Sequence, residues 1–170
     1  MELKDALLAR RSVRKYTSEP VSREDINELM LAAMAGPSAV NRQPWEFYVT
    51  ASPDKLEALR NTTPFTKSMK APLAIVVCGN LNRSLPLKFS TYWVQDCSAA
   101  IENILLRVTD LGLGGVWCGL HPNKSAEEKV AATLAIPKKQ VPLGLIFIGH
   151  PAEFPEPRSQ YDEGKVHFVE

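Results

Sequence analysis

Apolar residues recur along this chain with two different spacings, one typical of helices and one typical of strands. Repeats of three and four residues predict an amphipathic helix, whereas a continuous apolar run of strand length predicts a strand buried on both faces. The first spacing predicts helices over 3–10, from Ser22 to a stop at Gly36-Pro37, and over 52–60, 93–111 and 125–135. The second pattern predicts strands over 46–51, 72–79 and 141–151, with 114–119 as a short strand or turn.

Two predicted helix starts carry side chains suited to capping free backbone N–H groups. Ser22 with Asp25 three residues later is close to a capping box, and Ser125 with Glu128 repeats the pattern. The longest predicted helix, 93–111, has apolar residues over more than one narrow stripe, which indicates burial on two sides.

Three segments lack a helical period. Residues 80–92 contain Pro86 and predict a loop or mobile lid, whereas residues 151–165 are too rich in proline and charge to pack on themselves. Residues 166–170 alternate like an edge strand. A polar tail that ends in such a pattern either reaches a partner subunit or is a disordered end, and composition favours neither.

Helices and strands interleave without strict alternation, which predicts an α+β or mixed α/β fold. At 170 residues the chain is long enough for one hydrophobic core and too short for two comfortable domains. No internal repeat or linker divides it, so residues 1–170 are expected to form a single domain.

Charge and cysteine content argue against several classes of function. The 20 lysines and arginines face 19 acids, whereas a protein that neutralises nucleic-acid phosphates has a basic excess over a whole face. Cys78, Cys97 and Cys118 have no metal or disulfide spacing, and neither do the histidines. No signal peptide or membrane-length run occurs. We therefore expect a cytoplasmic protein without a metal, a nucleic-acid partner or a membrane.

A local basic cluster departs from this neutral background. Arg10, Arg11, Arg14 and Lys15 crowd into the segment RRSVRK together with Ser12. Guanidinium groups match a phosphate in geometry, and the hydroxyl adds a donor. A solvated charged face at a helix end is the alternative, because cations also favour a helix C-terminus.

Two other segments could contact a flat ligand. Residues 36–47 are dense in amides and hydroxyls that pair with ring carbonyls and N–H groups, and the glycines of 114–119 allow close backbone approach. No dinucleotide fingerprint, P-loop or nucleophile elbow occurs, and Asp96 and Glu102 lie on different faces of the long helix. The sequence therefore offers side chains that can bind a phosphate but few candidates for a catalytic acid or base. This combination suits a protein whose cofactor supplies the chemistry, so no catalytic side chain is expected.

Four segments, taken in order, resemble the nitroreductase-like flavoprotein family. They are RRSVRKY, GPSAVNRQPWEF, the long helix running into GGVWCG, and IFIGHPAE, and they span nearly the whole chain. Each is short, but four in order and spacing are specific. The resemblance implies an α+β, nitroreductase-like fold with a mostly antiparallel central sheet flanked by helices. It also implies an intertwined homodimer with FMN at its interface, in which residues 151–170 embrace the partner subunit.

The function implied by the resemblance is transfer of hydride from NADH or NADPH to a nitroaromatic, quinone or similar acceptor by a ping-pong mechanism. The resemblance also implies which residues bind FMN. The phosphate and ribityl end would be held by Arg10, Arg11, Ser12 and Arg14, with Arg158 also at the phosphate. The ring would be lined by Trp117, Cys118 and Gly119 of one chain and by Pro37, Ser38 and Ala39 of the partner chain, with Asn41 and Gln43 nearby and Lys67 at the pyrimidine edge. A backbone N–H of Cys118 or Gly119 is expected near flavin N5, where it supports the reduced ring without an ionisable residue.

The chain departs from the family pattern at two positions. Ala39 stands where a second serine is common, and Gln160 stands where a second basic residue is common. We therefore expect the grip on the phosphate to depend more heavily on the first basic cluster. Because the chain is short for the family, residues 80–92 are left to shape the pocket for an acceptor that the sequence does not identify.

Two other functions fit parts of the sequence. Related flavoproteins remove halogen from aromatics or cleave flavin, which requires a specialised lid, and residues 80–92 offer for this only Arg83, Lys88 and Tyr92. A non-catalytic module could instead bind RNA or an acidic partner through RRSVRK. The near-zero net charge and the lack of interleaved aromatics argue against that hypothesis.

Overall fold

The computed structural model describes residues 1–169, which form an antiparallel sheet flanked by helices. The helices are α1 (Leu3–Ala9), α2 (Arg23–Met34), α3 (Pro53–Arg60), α4 (Tyr92–Asp110) and α5 (Lys124–Leu134). The strands are β1 (Trp45–Thr50), β2 (Leu73–Asn80), β3 (Gly114–Gly119) and β4 (Gln140–Gly149). Short 3-10 turns lie at Ala39–Asn41, Leu87–Phe89 and Glu163–Lys165. The predicted helices and strands through residue 151 are therefore confirmed, with bounds shifted by one or two residues.

The sheet has the strand order β1-β2-β4-β3, and each neighbouring pair is antiparallel. The two continuous apolar runs, β2 and β4, take the central positions because both of their faces are covered. A register shift between Val77 and Cys78 marks an irregularity in their pairing. The α+β architecture with a central, mostly antiparallel sheet is confirmed.

Helices cover both faces of the sheet. On one face α2 and α4 share a core in which Ile104 is completely buried. On the other face α3 and α5 contribute Leu59 and Val130, which are also completely buried. The Asn103 side chain of α4 donates to the carbonyl oxygen of Ala32 in α2 at 3.0 Å, so α4 packs on both the sheet and α2, as its wide apolar surface predicts. None of the helices in residues 1–169 has the length and apolarity to cross a membrane.

The two predicted helix caps have different outcomes. The cap at Ser22 is confirmed, because its Oγ accepts the N–H of Asp25 at 2.9 Å. The capping box that begins at Ser125 is wrong, because Asn123 caps α5 instead and accepts the N–H of Ala126 at 3.2 Å. Asparagine is as good a cap as serine, and its earlier position places Ser125 inside the first helical turn.

From Pro151 the chain turns back along its own N-terminal segment, where the Ala152 N–H donates to the carbonyl oxygen of Lys15 at 3.0 Å. Residues 166–169 are exposed and form no strand within their own chain, so pairing of this part with a partner subunit stays a prediction. A strand requires a neighbouring backbone, and this stretch adjoins no sheet edge of its own chain. Glu170, the last residue of that prediction, lies outside the described residues.

The loop predicted over 80–92 is observed over residues 81–91, apart from the single 3-10 turn at Leu87–Phe89. Leu87 is 87% exposed and has a positive φ of 58°. Phe89 is also exposed, and its ring contacts Tyr92 edge-on with centroids 5.6 Å apart. The loop therefore presents large apolar side chains at the surface.

Candidate functional site

The basic segment extends the sheet beyond β3. Ser12 pairs with Gly115 as a parallel bridge, and the Val13 N–H donates to the carbonyl oxygen of Gly115 at 3.0 Å. Gly114 makes this approach possible, because a Cβ added there would lie 2.7 Å from Cγ1 of Val13. The backbone pairing thus places the basic side chains along the outer edge of β3.

The basic side chains divide among different surroundings. Arg10 Nε lies 3.6 Å from Oε1 of Glu102 in a partly exposed pair, and the Arg14 guanidinium donates to the carbonyl oxygen of Ser12 at 3.2 Å. Arg11 instead donates to the carbonyl oxygen of Glu156 in the tail. Exposed ion pairs contribute little to stability, so Arg10 and Arg14 can exchange these partners for a ligand at small cost.

Two adjoining cavities open beside β3. The Arg10 cavity has a volume of about 300 Å³ and is lined by Arg10, Ser12, Glu102, Leu105, Gly115, Trp117 and Gly119. The Arg14 cavity has a volume of about 630 Å³ and is walled by Arg14, residues 116–119, Asn123 and parts of the segment 63–69. Trp117 and Gly119 line both cavities. The structure therefore brings together six of the predicted site residues, namely Arg10, Ser12, Arg14, Trp117, Cys118 and Gly119.

Trp117 divides the two cavities, and Gly144 on the neighbouring strand determines its position. A Cβ added to Gly144 would lie 2.3 Å from Nε1 of the indole, which means that the ring lies directly over the glycine. The side chain remains 37% exposed, unlike Trp45 and Trp93, which are buried. A large aromatic surface is therefore available to a ligand in either cavity.

The end of β3 has room for a flat ligand against the backbone. A Cβ added to Gly119 would meet no atom within 4 Å, so open space adjoins the main chain there. Burial raises the pKa of the neighbouring Cys118 thiol to about 11, although Arg14 acts in the opposite direction. The thiol is therefore neutral near pH 7. Open backbone, an aromatic face and guanidinium donors together fit a flat ligand that carries a phosphate.

The segment 37–43 lies elsewhere in the chain, and within residues 1–169 none of its members lines the Arg10 or Arg14 cavity. A hydrogen bond links the two ends of this segment, because Oγ of Ser38 accepts the N–H of Gln43 at 2.9 Å. Gln43 instead lines a separate cavity of about 500 Å³ next to Trp45. One chain alone therefore does not unite the two groups of predicted cofactor residues, which include Pro37, Ala39 and Asn41.

Two further predicted site residues lie near the cavities without lining them. Lys67 is exposed on a segment whose members Phe65 and Ser68 do line the Arg14 cavity. Arg158 is exposed, and its N–H donates to the carbonyl oxygen of Leu8 at 3.0 Å, next to the basic segment. Neither cation is among the residues that line the two cavities.

Sequence reasoning missed several residues that shape the site. It assigned nothing to Asn123, which lines the Arg14 cavity, and it rejected Asp96 and Glu102 together as a catalytic carboxylate pair, although Glu102 lines the Arg10 cavity. Asp96 is buried on α4, and its Oδ1 accepts the N–H of Ala39 at 2.8 Å. A carboxylate one turn before Ala100 on the apolar stripe of a helix was the signal that could have identified it.

Comparison with known proteins supplies relatives over nearly the whole chain. The model of the nitroreductase family matches residues 7–68 and 65–150. The "Putative NADH dehydrogenase/NAD(P)H nitroreductase" of Methanothermobacter thermautotrophicus is 40% identical over 168 residues, which cover 98% of this chain and 86% of that protein.

Solved structures agree with the sequence relatives. A protein of the same name from Parabacteroides distasonis aligns with a TM-score of 0.92 at 36% identity, covering 99% of this chain and 98% of the other. A "putative nitroreductase in complex with fmn" from Desulfovibrio desulfuricans aligns with a TM-score of 0.83 at 27% identity, covering 100% and 97%.

Proposed function

This chain belongs to the nitroreductase family, and from that premise we propose that it is an FMN-dependent oxidoreductase. It oxidises NADH or NADPH and reduces a nitroaromatic, quinone or similar small acceptor, with donor and acceptor using the same space in turn. One observation carries the proposal. The edge of β3 brings Arg10, Ser12 and Arg14 to the same pair of cavities as the aromatic face of Trp117 and the open backbone at Gly119.

The basic edge of β3 binds the phosphate and ribityl end of FMN in this proposal. Within residues 1–169, the side chains of Arg10 and Arg14 make exchangeable, partly exposed contacts, and the hydroxyl of Ser12 lies between them in sequence. Hydrogen bonds to a charged group contribute roughly 1.5–3 kcal/mol each. Arg11 and Arg158 add positive charge from the junction between the basic segment and the tail.

The backbone at the end of β3 lines the flavin ring. When bound, FMN supplies the redox chemistry, taking hydride from the nicotinamide and passing it to the acceptor. The chain supplies orientation, an apolar wall and hydrogen-bond donors. We assign the donor to flavin N5 to the backbone N–H of Cys118 or Gly119, and the raised pKa of the Cys118 thiol argues against a role for it as a base. Lys67 serves the pyrimidine edge.

A second copy of the chain completes the site in this proposal. Its segment 37–43, with Pro37, Ser38, Ala39, Asn41 and Gln43, contacts the flavin from the opposite side, and its tail, residues 151–170, wraps around the first subunit. Large apolar side chains are exposed on α2, on this segment and in the tail: Leu31 is 66%, Val40 83% and Phe168 92% exposed. In this proposal these exposed apolar side chains become buried against the second copy.

The proposal is tested with the visible spectrum of the purified protein. We expect a yellow protein with flavin absorbance that bleaches when NADH or NADPH is added without oxygen and returns when a quinone or nitroaromatic is added. The ratio of bleaching rates identifies the preferred donor. A flavin band that neither nucleotide bleaches would overturn the reductase proposal.

Two other outcomes would support the alternative functions. Halide release from a halotyrosine, dependent on reduced flavin, would indicate dehalogenation. A colourless protein that takes up no FMN on reconstitution and retains RNA through a salt wash would indicate a binding module based on RRSVRK.

A further inference from the structure

Asp96 is a buried carboxylate that has no charged partner within 4.0 Å among residues 1–169. Its residue is 6% exposed and lies among apolar neighbours on the face of α4 that forms the core. Within residues 1–169, the ion pairs of at most 4.0 Å involve other carboxylates. Burial of a carboxylate is costly unless donors compensate for the lost water. A hydrogen-bond donor close to Asp96 is therefore needed to explain why an acid occupies this buried position.

That donor is the backbone N–H of Ala39, which reaches Oδ1 of Asp96 at 2.8 Å across 57 residues of sequence. A charged acceptor makes this bond stronger than one between neutral groups. Ala39 is the first residue of the 3-10 turn Ala39–Asn41, so the bond fixes the point at which the segment 37–43 begins to turn.

The turn that follows is unfavourable by itself. Val40, Asn41 and Gln43 have positive φ angles of 52°, 53° and 48°, a region that side chains with a Cβ seldom occupy and that a β-branched valine avoids most. Such a conformation persists only where surrounding contacts determine it. Within the segment, the bond from the Gln43 N–H to Ser38 Oγ is one such contact.

The segment has a second external anchor at its other end. The Arg42 guanidinium donates from Nε to the carbonyl oxygen of Arg83 at 2.8 Å and more weakly to that of Ser84 at 3.4 Å. The bond to Arg83 is exposed and both bonds lead to the loop 81–91, whereas the bond from Ala39 ends on the buried side chain of Asp96 in the helix α4. The buried anchor therefore determines where the segment sits relative to the core.

We propose that Asp96 is a positioning residue for the cofactor site. Its carboxylate holds the Ala39 N–H and thereby keeps the segment 37–43 in the left-handed turn that presents its amides to the flavin ring. This inference deepens the proposed function and rests on it, because the segment's contact with flavin is part of that proposal. Asp96 itself does not touch the reacting atoms.

The test compares Asp96→Ala with Asp96→Asn and with Gln95→Ala as a control. Gln95 is the exposed neighbour on the same helix, so its replacement leaves the anchor intact. The first readout is amide hydrogen exchange over residues 37–43 in the flavin-free protein, and the second is the Kd for FMN. For Asp96→Ala we expect exchange at Ala39 to rise at least tenfold and the Kd to rise by about the same factor, while α4 stays protected. Asp96→Asn keeps an acceptor and is expected to restore most of both.

The two readouts separate the inference from the proposed function. Unchanged exchange over 37–43 in Asp96→Ala would overturn the role of Asp96, whatever the affinity for FMN. If the wild-type protein binds no FMN but Asp96→Ala still exchanges faster over 37–43, the proposed function is overturned and Asp96 remains the anchor of the segment. If Asp96→Ala does not fold, Asp96→Leu provides the comparison, since it fills the space without an acceptor. Equal exchange in Asp96→Leu and Asp96→Asn would then refute the inference.

Discussion

Replacing Gly144 by alanine tests how the site positions its aromatic surface. Gly144 pairs with Gly119 across β3 and β4, and the Trp117 indole lies over it. An added Cβ would be 2.3 Å from Nε1 and 2.9 Å from Cδ1 of Trp117, and 3.0 Å from Cδ1 of Ile101. Contacts this short cannot persist, and the indole is a rigid group. We expect it to swing out over the Arg14 cavity.

The expected loss of stability follows from two opposing effects. Overpacking of a well-packed site costs roughly 1–3 kcal/mol. Alanine recovers about 0.5–1 kcal/mol of the conformational penalty that glycine carries in a strand. The net loss is therefore between about 0 and 2.5 kcal/mol, which lowers Tm by up to roughly 10 °C for a chain of this size.

The assay is thermal unfolding of the flavin-free protein at one fixed concentration, because ligand binding and self-association both raise Tm. Acrylamide quenching of tryptophan fluorescence reports the position of Trp117, since the other two tryptophans, Trp45 and Trp93, are buried. Gly119→Ala is the matched control. It adds the same methyl group on the facing strand, where no atom lies within 4 Å, so the Tm of the flavin-free protein should not fall and should rise slightly from the lost glycine penalty.

Two results would refute this reasoning. A Gly144→Ala protein that melts with the wild type and shows unaltered quenching would mean that the indole does not lie over residue 144. A Gly119→Ala protein that loses as much stability as Gly144→Ala would mean that both strands are sensitive to any added methyl group.

Three further predictions address the cofactor, the thiol and the tail. Replacing Arg10 and Arg14 together with alanine should weaken FMN binding by about tenfold or more for each lost contact, measured by fluorescence titration. Arg23→Ala on an exposed part of α2 serves as the control, and unchanged affinity in the double variant would contradict the phosphate assignment. Because burial raises the pKa of Cys118 to about 11, its alkylation by iodoacetamide should accelerate about tenfold per pH unit up to that pH, and bound FMN should protect it. A pH-independent rate would argue against the raised pKa. Removing residues 159–170 should increase the dissociation constant of the dimer in analytical ultracentrifugation, whereas an unaltered constant would show that the tail does not embrace the partner.

Residues close in sequence determined much of this fold. The sequence predicted that β2 and β4 are strands from their apolar runs, and that α2 and α4 are helices from the spacing of their apolar residues. This works because burial requires apolar residues at the spacing that the geometry of the strand or helix sets. The basic segment and the glycines of 114–119 were likewise singled out from sequence as candidates, since the chemistry of guanidinium groups and the conformational freedom of glycine are local properties.

Tertiary structure alone decided the contacts between distant residues. Ser12 pairs with Gly115, and Ala39 donates to Asp96, only because the strand order and the packing of α4 bring them together. The same dependence explains why the alternating pattern of 166–169 forms no strand within its own chain, where it pairs with no sheet edge. The spacing of apolar residues shows which side of a helix or strand is buried, but it does not show which distant backbone packs against that side. That choice is made by the global packing of the chain.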